Sequence, residues 1–324
     1  MRRVLRRVLP ILAVGLVALP AAAEIHVVII SGLGGEEEYS DLFHDWSSRL
    51  AASAVAAGIP DKNVLYLAED PDRDPELIDG PARGDEIRRR LADLEPRLGA
   101  DDELWIVLFG HGSGRSGDAK VSLPGPDMGG SDFAAALAPL RAGTVVFVNC
   151  ASASGDFVPA LSGPGRVVVT ATRSAGEQHA PTFGGFFVEG FEEARADVDK
   201  DQRVSILEAF EYARKEVERR YEGLQLMLTE HALLDDNGDS SGSLEAAAGG
   251  EGGDGAVASR VFLGRGTAAV PATATGRSLL ARKEALEDRI AELRSRRATM
   301  EEAAYLAELE ELLLELAATN RDLR

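Results

Sequence analysis

The stretch Leu-Trp-Ile-Val-Leu-Phe-Gly-His-Gly at residues 104–112 indicates the fold, because six apolar residues run into a histidine between two glycines. A second run, Val-Val-Phe-Val at 145–148, ends in Asn149-Cys150, and Cys150 is the only cysteine in 324 residues. Short apolar runs bounded by glycine or polar residues are typical of buried strands in a parallel sheet. Functional groups of such sheets gather beyond the carboxyl ends of the strands. If the two strands are neighbours, His111 and Cys150 meet there as a base and a nucleophile.

Strand and helix signals alternate along the chain between residues 25 and 194, which is typical of βαβ units and a parallel sheet. The pattern predicts strands near 25–30, 63–68, 103–109, 144–149 and 166–171, with a late strand at 260–263. It predicts helices near 40–57, 83–98, 132–140 and 183–194, and an amphipathic helix over 206–221. The fold class is therefore α/β, with a mostly parallel sheet between helices on both faces.

Residues 1–23 have the features of an export signal. Four arginines precede the apolar core Leu9–Leu19, and Ala21-Ala22-Ala23 forms a small-residue cleavage site. The apolar core is short for a membrane span, although an uncleaved anchor is an alternative. We therefore expect an exported protein, periplasmic or secreted.

The acidic composition excludes two classes of partner. The net charge is −19, and removal of residues 1–23 takes away four arginines and no acidic residue, which leaves −23. Nucleic acids and anionic lipid surfaces are bound through an excess of Lys and Arg. We therefore expect neither nucleic acid nor, after signal removal, a membrane, and the charge favours basic or cationic partners. A lone cysteine excludes an internal disulfide and is either a reactive thiol or a buried structural residue.

The chain after residue 237 changes in composition. Residues 238–257 are rich in Gly, Ser, Ala and Glu and predict a flexible linker. Residues 258–275 hold the predicted late strand and a connection. Residues 276–324 predict a helical hairpin or coiled-coil tail, in which Thr299 and Glu302 form a capping box. This tail either packs on the main domain or mediates self-association. Its two apolar seams are Leu279, Leu286, Ile290 and Leu293, and Leu306, Leu309, Leu313 and Leu316.

Alternating oxygen-bearing side chains before the 206–221 helix predict a calcium site. Their spacing is that of an EF-hand loop, in which carboxylates converge on one cation. Gln202 stands where such a loop needs glycine, so an acidic cap on the following helix is the alternative. A weaker copy at Asp235, Asn237, Asp239 and Ser241 lacks a closing acid and predicts a turn. The predicted calcium ligands are Asp197, Asp199, Asp201, Arg203, Ser205 and Glu208.

Five motifs in order resemble the caspase-like clan of cysteine peptidases, and within it the legumain family. The resemblance covers about residues 25–215 and implies a caspase-like three-layer sandwich over 24–237. It further implies a cysteine endopeptidase that acts on a protein or peptide substrate. No cofactor is implied for catalysis. The motifs are His26–Gly32, Gly58–Val64, His111–Gly114, Asn149–Gly155 and Thr170–Glu177.

The resemblance implies roles for individual residues. Cys150 would attack a peptide carbonyl as thiolate, and His111 would move the protons. The N–H groups of Gly112 and Cys150 would hold the oxyanion. The corresponding substrate-pocket positions are Ser40, Thr172, Arg173 and Glu177.

Two departures from the legumain pattern leave a second function open. The positions that shape the family's asparagine pocket, near Tyr39-Ser40 and Phe183–Gly185, do not supply the expected charges. Asn149 replaces the usual small residue before the cysteine. The alternative is a catalytically inactive caspase-like protein that binds a partner, with calcium dependence through the acidic loop.

Overall fold

The computed structural model describes residues 23–115, 117–248, 253–264 and 300–323, and scattered positions between 278 and 297. Residues 1–22 of the predicted export signal, the connection over 265–275 and Thr299 of the predicted capping box lie outside the described residues. None of the described helices is long and apolar enough to cross a membrane.

A seven-stranded sheet forms the centre of the molecule, in the order β10-β9-β8-β4-β1-β2-β3. All neighbouring strands are parallel except β10, which runs antiparallel to β9. Three short antiparallel strands, β5 to β7, form a second sheet directly after β4. The strands are β1 (Ile25–Ser31), β2 (Val64–Ala68), β3 (Gly80–Pro81), β4 (Glu103–Phe109), β5 (Gly112–Ser113), β6 (Lys120–Val121), β7 (Met128–Gly129), β8 (Thr144–Asn149), β9 (Arg166–Thr170) and β10 (Leu233–Asp235).

Helices cover both faces of the large sheet because successive strand residues point to opposite sides. In β1, Val27 and Ile29 join the core under α1, α5 and α6, whereas Val28 and Ile30 join the core under α2, α3 and α4. The predicted α/β class with a mostly parallel sheet and helices on both faces is confirmed. The helices are α1 (Glu37–Ala56), α2 (Gly84–Leu94), α3 (Gly130–Leu137), α4 (Val158–Leu161), α5 (Phe183–Phe191), α6 (Ile206–Gly223) and α7 (Glu302–Leu323).

The region after α6 differs from the sequence-based expectations. β10 was not predicted, and the late strand expected at 260–263 is a short helical turn followed by a single bridge between Ser205 and Phe262. Within the segment predicted as a linker, Asp254 is 3% exposed and accepts hydrogen bonds from the N–H groups of Asp236 and Asn237. Buried polar side chains therefore pin this part of the segment to the end of β10.

In the part of the tail that the structure describes, residues between 286 and 293 pack against α7. Leu286, Ile290 and Leu293 contact Tyr305 and Leu312 of α7 in one small core. The apolar face of α7 is rotated from the predicted seam, since Leu306 and Leu313 are 54% and 43% exposed. The leucine-rich run at 312–314 offers more than one helical face, and the face that includes Tyr305 is the one buried.

Candidate functional site

His111 and Cys150 follow the carboxyl ends of neighbouring strands. β4 and β8 pair in parallel, with Leu108 opposite Asn149 at the last pair of the ladder. Phe109 and Cys150 both belong to the core on the α1 and α5 side of the sheet. The strands are thus adjacent, as the apolar runs led us to expect.

Cys150 is sealed beneath the first turn of α5. The residue is 1% exposed, and a Cβ atom added to Gly184 would lie 3.0 Å from the Cys150 Cβ and 3.1 Å from the Trp46 ring. Burial, and secondarily the negative charge of Glu230, raise the pKa of the Cys150 thiol well above its usual value. In this conformation the thiol is protonated and out of reach of a substrate.

His111 is held by aromatic rings and a backbone oxygen. Its ring centroid lies 4.6 Å from that of Tyr39 and 5.2 Å from that of Phe43, both edge to face. Its Nε2 lies 3.1 Å from the Gly34 carbonyl oxygen, a pairing that requires the proton on Nε2. Within the described part of the chain, the hydrogen bonds of His111 do not include one to Cys150.

In this structure the two N–H groups predicted to form the oxyanion hole donate to other groups of the chain. Gly112 donates to the Ser152 hydroxyl at 3.0 Å, and that hydroxyl donates back to the Gly112 carbonyl at 2.9 Å. The Cys150 N–H continues the sheet by donating to the Leu108 carbonyl at 2.9 Å. A Cβ on residue 112 would lie 2.0 Å from the Ser152 carbonyl oxygen, so the close approach of the two loops requires glycine.

Three of the predicted substrate-pocket residues brace loops. Thr172 is 1% exposed, and its hydroxyl accepts the N–H groups of Ser154 and Gly155 at 2.7 and 3.3 Å. Glu177 bonds to Nδ1 of His231 at 2.6 Å and to the exposed guanidinium of Arg173 at 3.0 Å. Ser40 is half-buried in the first turn of α1, beside Gly34.

Glu230 is a buried acid that the sequence analysis did not single out. It is 5% exposed and caps the start of α5 by accepting the N–H groups of Phe183 at 2.6 Å and Thr182 at 3.0 Å. Burial raises its pKa to about 7. Because these bonds fix the first turn of α5, Glu230 holds in place the backbone that covers Cys150. The carboxyl borders a cavity of about 150 Å³ between α5, α6 and the segment 228–245.

Three of the six predicted calcium ligands converge. Carboxylate oxygens of Asp197, Asp199 and Glu208 lie within 4.8 Å of one another. Burial, followed by the charges of Asp201 and Glu208, raises the pKa of Asp199 to about 6. Gln202 adopts a left-handed conformation with φ of 69°, where an EF-hand loop carries glycine. The three carboxylates therefore bring negatively charged oxygen atoms, which hard cations such as calcium prefer, close together.

The other three predicted ligands form contacts within the chain, and the assignment of six calcium ligands stays a prediction. Asp201 forms ion pairs with Arg203 at 3.0 Å and with Lys283 of the tail at 3.1 Å. The guanidinium of Arg203 also stacks 3.9 Å above the ring of Phe262. The Ser205 hydroxyl donates to Glu208 at 2.9 Å and accepts the Glu208 N–H in a capping box. The helix-cap alternative therefore describes part of this loop.

Comparisons with known proteins add little to this description. No family model matches the chain, and no curated protein matches it. Among solved structures, the crystal structure of protein GSU0716 from Geobacter sulfurreducens aligns with a TM-score of 0.45 and 9% identity. The alignment covers 65% of this chain and 92% of that protein.

Proposed function

We propose that this chain is an exported protein with a caspase-like fold that binds a partner and calcium and does not hydrolyse peptide bonds. The burial of Cys150 beneath α5 carries the proposal. A cysteine nucleophile acts as thiolate and must reach the substrate carbonyl. At 1% exposure and with a raised pKa, the thiol meets neither requirement in this conformation. Cys150 then serves as a small apolar core residue.

The surroundings of the thiol support the same proposal. The predicted general base pairs with a backbone carbonyl, and both predicted oxyanion donors are satisfied by Ser152 and Leu108. The placement of His111-Gly112 and Asn149-Cys150 at neighbouring strand ends supports the caspase-like assignment of the sheet. The outward leucines of α7, Leu306, Leu313 and Leu314, support contact with a partner or a second copy through the tail.

A second candidate is the cysteine endopeptidase, favoured by the adjacency of the two strand ends. Catalysis would require the first turn of α5 to leave Cys150 and Ser152 to release the Gly112 N–H. Cys150 would then attack the carbonyl carbon and form an acyl-enzyme, while His111 protonates the departing amine; water would release the acyl group.

Thiol labelling separates the two candidates. In the native chain, peptide electrophiles with Asn, Asp, Arg or Ala before the reactive group are expected to leave Cys150 unlabelled, because the thiol is protonated and covered. In the chain unfolded by guanidinium, a small thiol reagent is expected to label it completely. Intact-mass spectrometry with a time course measures both.

His111→Ala and a matched His44→Ala variant complete the experiment. Each histidine contacts an aromatic ring: His111 contacts Phe43, and His44 contacts Tyr66. Nδ1 of His44 also lies 3.1 Å from the Tyr66 hydroxyl. The non-catalytic protein gives the same low labelling in the wild type and both variants. Native labelling that disappears in His111→Ala and persists in His44→Ala would establish the peptidase.

Calcium is expected to raise the melting temperature at pH 7.5, and Asp199→Asn to reduce that rise. Asparagine keeps an oxygen that can accept the Asp201 N–H, now bonded at 3.0 Å, but it removes the charge that a cation would neutralise. Without calcium the same variant should melt higher than the wild type, because burial, followed by repulsion from Asp201 and Glu208, disfavours the charged form of Asp199 and asparagine carries no charge. Differential scanning fluorimetry in chelator and in calcium measures both effects.

Asp118→Asn is the matched control, since Asp118 is 76% exposed and lies far in sequence from Asp197, Asp199 and Glu208. An Asp199→Asn protein with the full calcium-dependent rise would contradict calcium binding by Asp197, Asp199 and Glu208.

A further inference from the structure

The cavity beside Glu230 has no role in the function proposed above. It has a volume of about 150 Å³ and lies between the start of α5, one face of α6 and residues 228–245. Its wall is formed by none of the positions that the resemblance assigns to a substrate pocket, which are Ser40, Thr172, Arg173 and Glu177. Most of the wall is apolar and comes from Phe183, Val217, Leu228, Ala232 and Leu244.

Three carboxylates and one guanidinium border this cavity. The carboxylates belong to Glu218, Glu230 and Glu245, and the guanidinium is that of Arg214. Arg214 is already neutralised, because it forms ion pairs with Glu211 at 3.1 Å and with Glu218 at 2.6 Å. Glu245 is exposed, and although its charge acts on Arg214, it forms no hydrogen bond or ion pair in the part of the chain that the structure describes. The cavity therefore carries an excess of negative charge.

The acids lie at different depths. Glu230 is 5% exposed and belongs to the inner wall, whereas Leu244 and Glu245 are exposed and belong to the mouth. Among the described residues, Oε1 of Glu230 accepts only the Phe183 N–H, which leaves it a lone pair. A buried carboxylate without a cationic partner is costly to ionise, so a positive group beside Glu230 would stabilise its charged form.

The size and the lining of the cavity fit a lysine side chain. An engineered apolar cavity of about 150 Å³ holds benzene, which is similar in size to the lysine side chain. The methylene stem of lysine packs on apolar surface while its ammonium seeks a polar partner. Arginine is larger, and its planar guanidinium suits a carboxylate with two open oxygens. Both oxygens of Glu230 already accept backbone N–H groups, from Phe183 and Thr182.

Large apolar side chains are exposed next to the cavity. Leu224, Leu226 and Met227 follow the end of α6 and are 56%, 60% and 85% exposed, and the next residue, Leu228, lines the cavity. The Leu226 N–H donates to the Tyr221 carbonyl at 3.0 Å, which holds this turn against the helix end. Neighbouring exposed apolar residues mark contact surfaces for proteins. A free amine would leave them exposed, whereas a peptide whose lysine enters the cavity can cover them.

We propose that this cavity receives a lysine side chain of a partner protein, with its methylene groups against Phe183, Val217 and Leu228 and its ammonium beside Glu230. Apolar residues that flank the lysine pack on Leu226 and Met227. This proposal rests on the proposed function, in which the chain binds a partner, and it names the chemistry of that partner.

Isothermal titration calorimetry on the intact chain tests the proposal with three probes. The first is acetyl-Leu-Ala-Lys-Ala-Leu-amide, whose leucines share the side of the lysine when the peptide is extended. The second has norleucine in place of lysine, which keeps the methylene groups and removes the charge. The third is n-butylamine, which has the ammonium without the flanking residues. We expect the lysine peptide to bind roughly ten-fold or more tightly than each of the others.

Variants of the two acids locate the binding site. Glu230→Gln keeps an oxygen that can accept the Phe183 or Thr182 N–H but removes the charge, so it should bind the lysine and norleucine peptides alike. Glu245→Lys places a cation at the cavity mouth and should also abolish the preference for lysine. Because Glu245 is exposed and holds no other residue in place, this variant decides the matter if Glu230→Gln does not fold.

Glu76→Gln and Glu76→Lys are the matched controls for these charge changes. Glu76 is exposed and precedes β3, at the opposite edge of the large sheet from β10. Both controls should bind the lysine peptide as the wild type does. A control that loses the preference for lysine as fully as the cavity variants would overturn the proposal, because net charge would then account for the binding.

Two results with the wild type would also overturn the proposal. Equal affinities for the lysine and norleucine peptides would leave the carboxylates without a role. Binding of n-butylamine as tightly as the lysine peptide would identify a free amine, and not a protein, as the occupant.

Failure of this site and failure of the proposed function give different results. Labelling of Cys150 by peptide electrophiles is measured on the same preparation. An unlabelled Cys150 with no preference for lysine overturns the cavity site and leaves the non-catalytic function standing. A labelled Cys150, with a preference for lysine that disappears in Glu245→Lys, overturns the non-catalytic function and supports the cavity site.

Discussion

Replacing Asp236 with alanine is expected to lower the free energy of unfolding by about 4 kcal/mol, because three backbone donors, two of them buried and one half-buried, would each lose an acceptor. The Asp236 carboxylate is 7% exposed and accepts the N–H groups of Gly255, Val257 and Ala258 at 2.9, 2.8 and 2.7 Å. An unsatisfied buried donor costs roughly 1–3 kcal/mol, and alanine offers no replacement.

The loss of these hydrogen bonds should also weaken the loop of Asp197, Asp199 and Glu208, which precedes α6. The segment held by Asp236 carries Val261, which accepts the Ile206 N–H at 2.9 Å, and Phe262, on which Arg203 stacks. Once the segment is released, the start of α6 loses this support. We therefore expect residues 254–263 to become accessible to protease before the rest of the domain unfolds.

Urea unfolding followed by circular dichroism measures the stability change. The comparison is Asp239→Ala in chelator, because Asp239 is an exposed aspartate of the same region and its removal should cost less than about 1 kcal/mol. If Asp236→Ala were as stable as Asp239→Ala, the three backbone bonds would not contribute as described.

Glu230 is expected to make the protein less stable as the pH rises from about 4.5 to about 7. Its pKa is raised to about 7 in the folded chain, chiefly by burial, from a usual value of 4.5. The folded state therefore holds the proton more tightly than the unfolded state. The stabilisation is complete below the unfolded pKa of 4.5 and is lost as the pH rises through the folded pKa. A shift of this size corresponds to about 3 kcal/mol, lost as the carboxyl ionises.

Glu230→Gln is expected to remove this part of the pH dependence. Glutamine keeps a carbonyl oxygen that can accept the Phe183 or Thr182 N–H, and it cannot ionise. The difference in unfolding free energy between pH 5 and pH 8 should shrink by about 2.5 kcal/mol relative to the wild type, because the rest of the effect is already lost by pH 5. Glu222→Gln, an exposed glutamate at the end of α6, should leave the wild-type profile unchanged. Equal profiles for Glu230→Gln and the wild type would show that Glu230 is not the titrating group.

The main strands and helices were predictable because their signals are local. Apolar runs of four to six residues marked β4 and β8, and helical periodicity marked α2 and α6. β10 was missed because three residues, Leu233–Asp235, are too few for a period to be read. The calcium motif likewise predicted that Asp197, Asp199 and Glu208 lie close together. It could not predict that Lys283 of the tail forms an ion pair with Asp201.

The state of the candidate catalytic centre was not predictable, because it depends on contacts distant in sequence. The adjacency of His111 and Cys150 follows from strand order, but the cover over the thiol comes from Gly184, which Glu230 holds from 46 residues downstream. The alternating pattern of residues 235–241 drew attention to Asp235 but not to Asp236, whose hydrogen-bond partners lie about 20 residues later in the chain. A buried acid with distant backbone partners has no local sequence pattern.

Because α5 and Trp46 cover the Cys150 thiol, the folded chain should resist thiol oxidation, which matters for a protein that we propose to be exported. Oxidising compartments convert accessible thiols to sulfenic acids or to mixed disulfides, and each such event inactivates or crosslinks the molecule. Gly184 and Trp46 leave peroxide and glutathione disulfide no approach to Cys150. The folded protein should therefore keep its cysteine reduced under conditions that oxidise free cysteine, and so remain durable in an extracytoplasmic environment without any disulfide of its own.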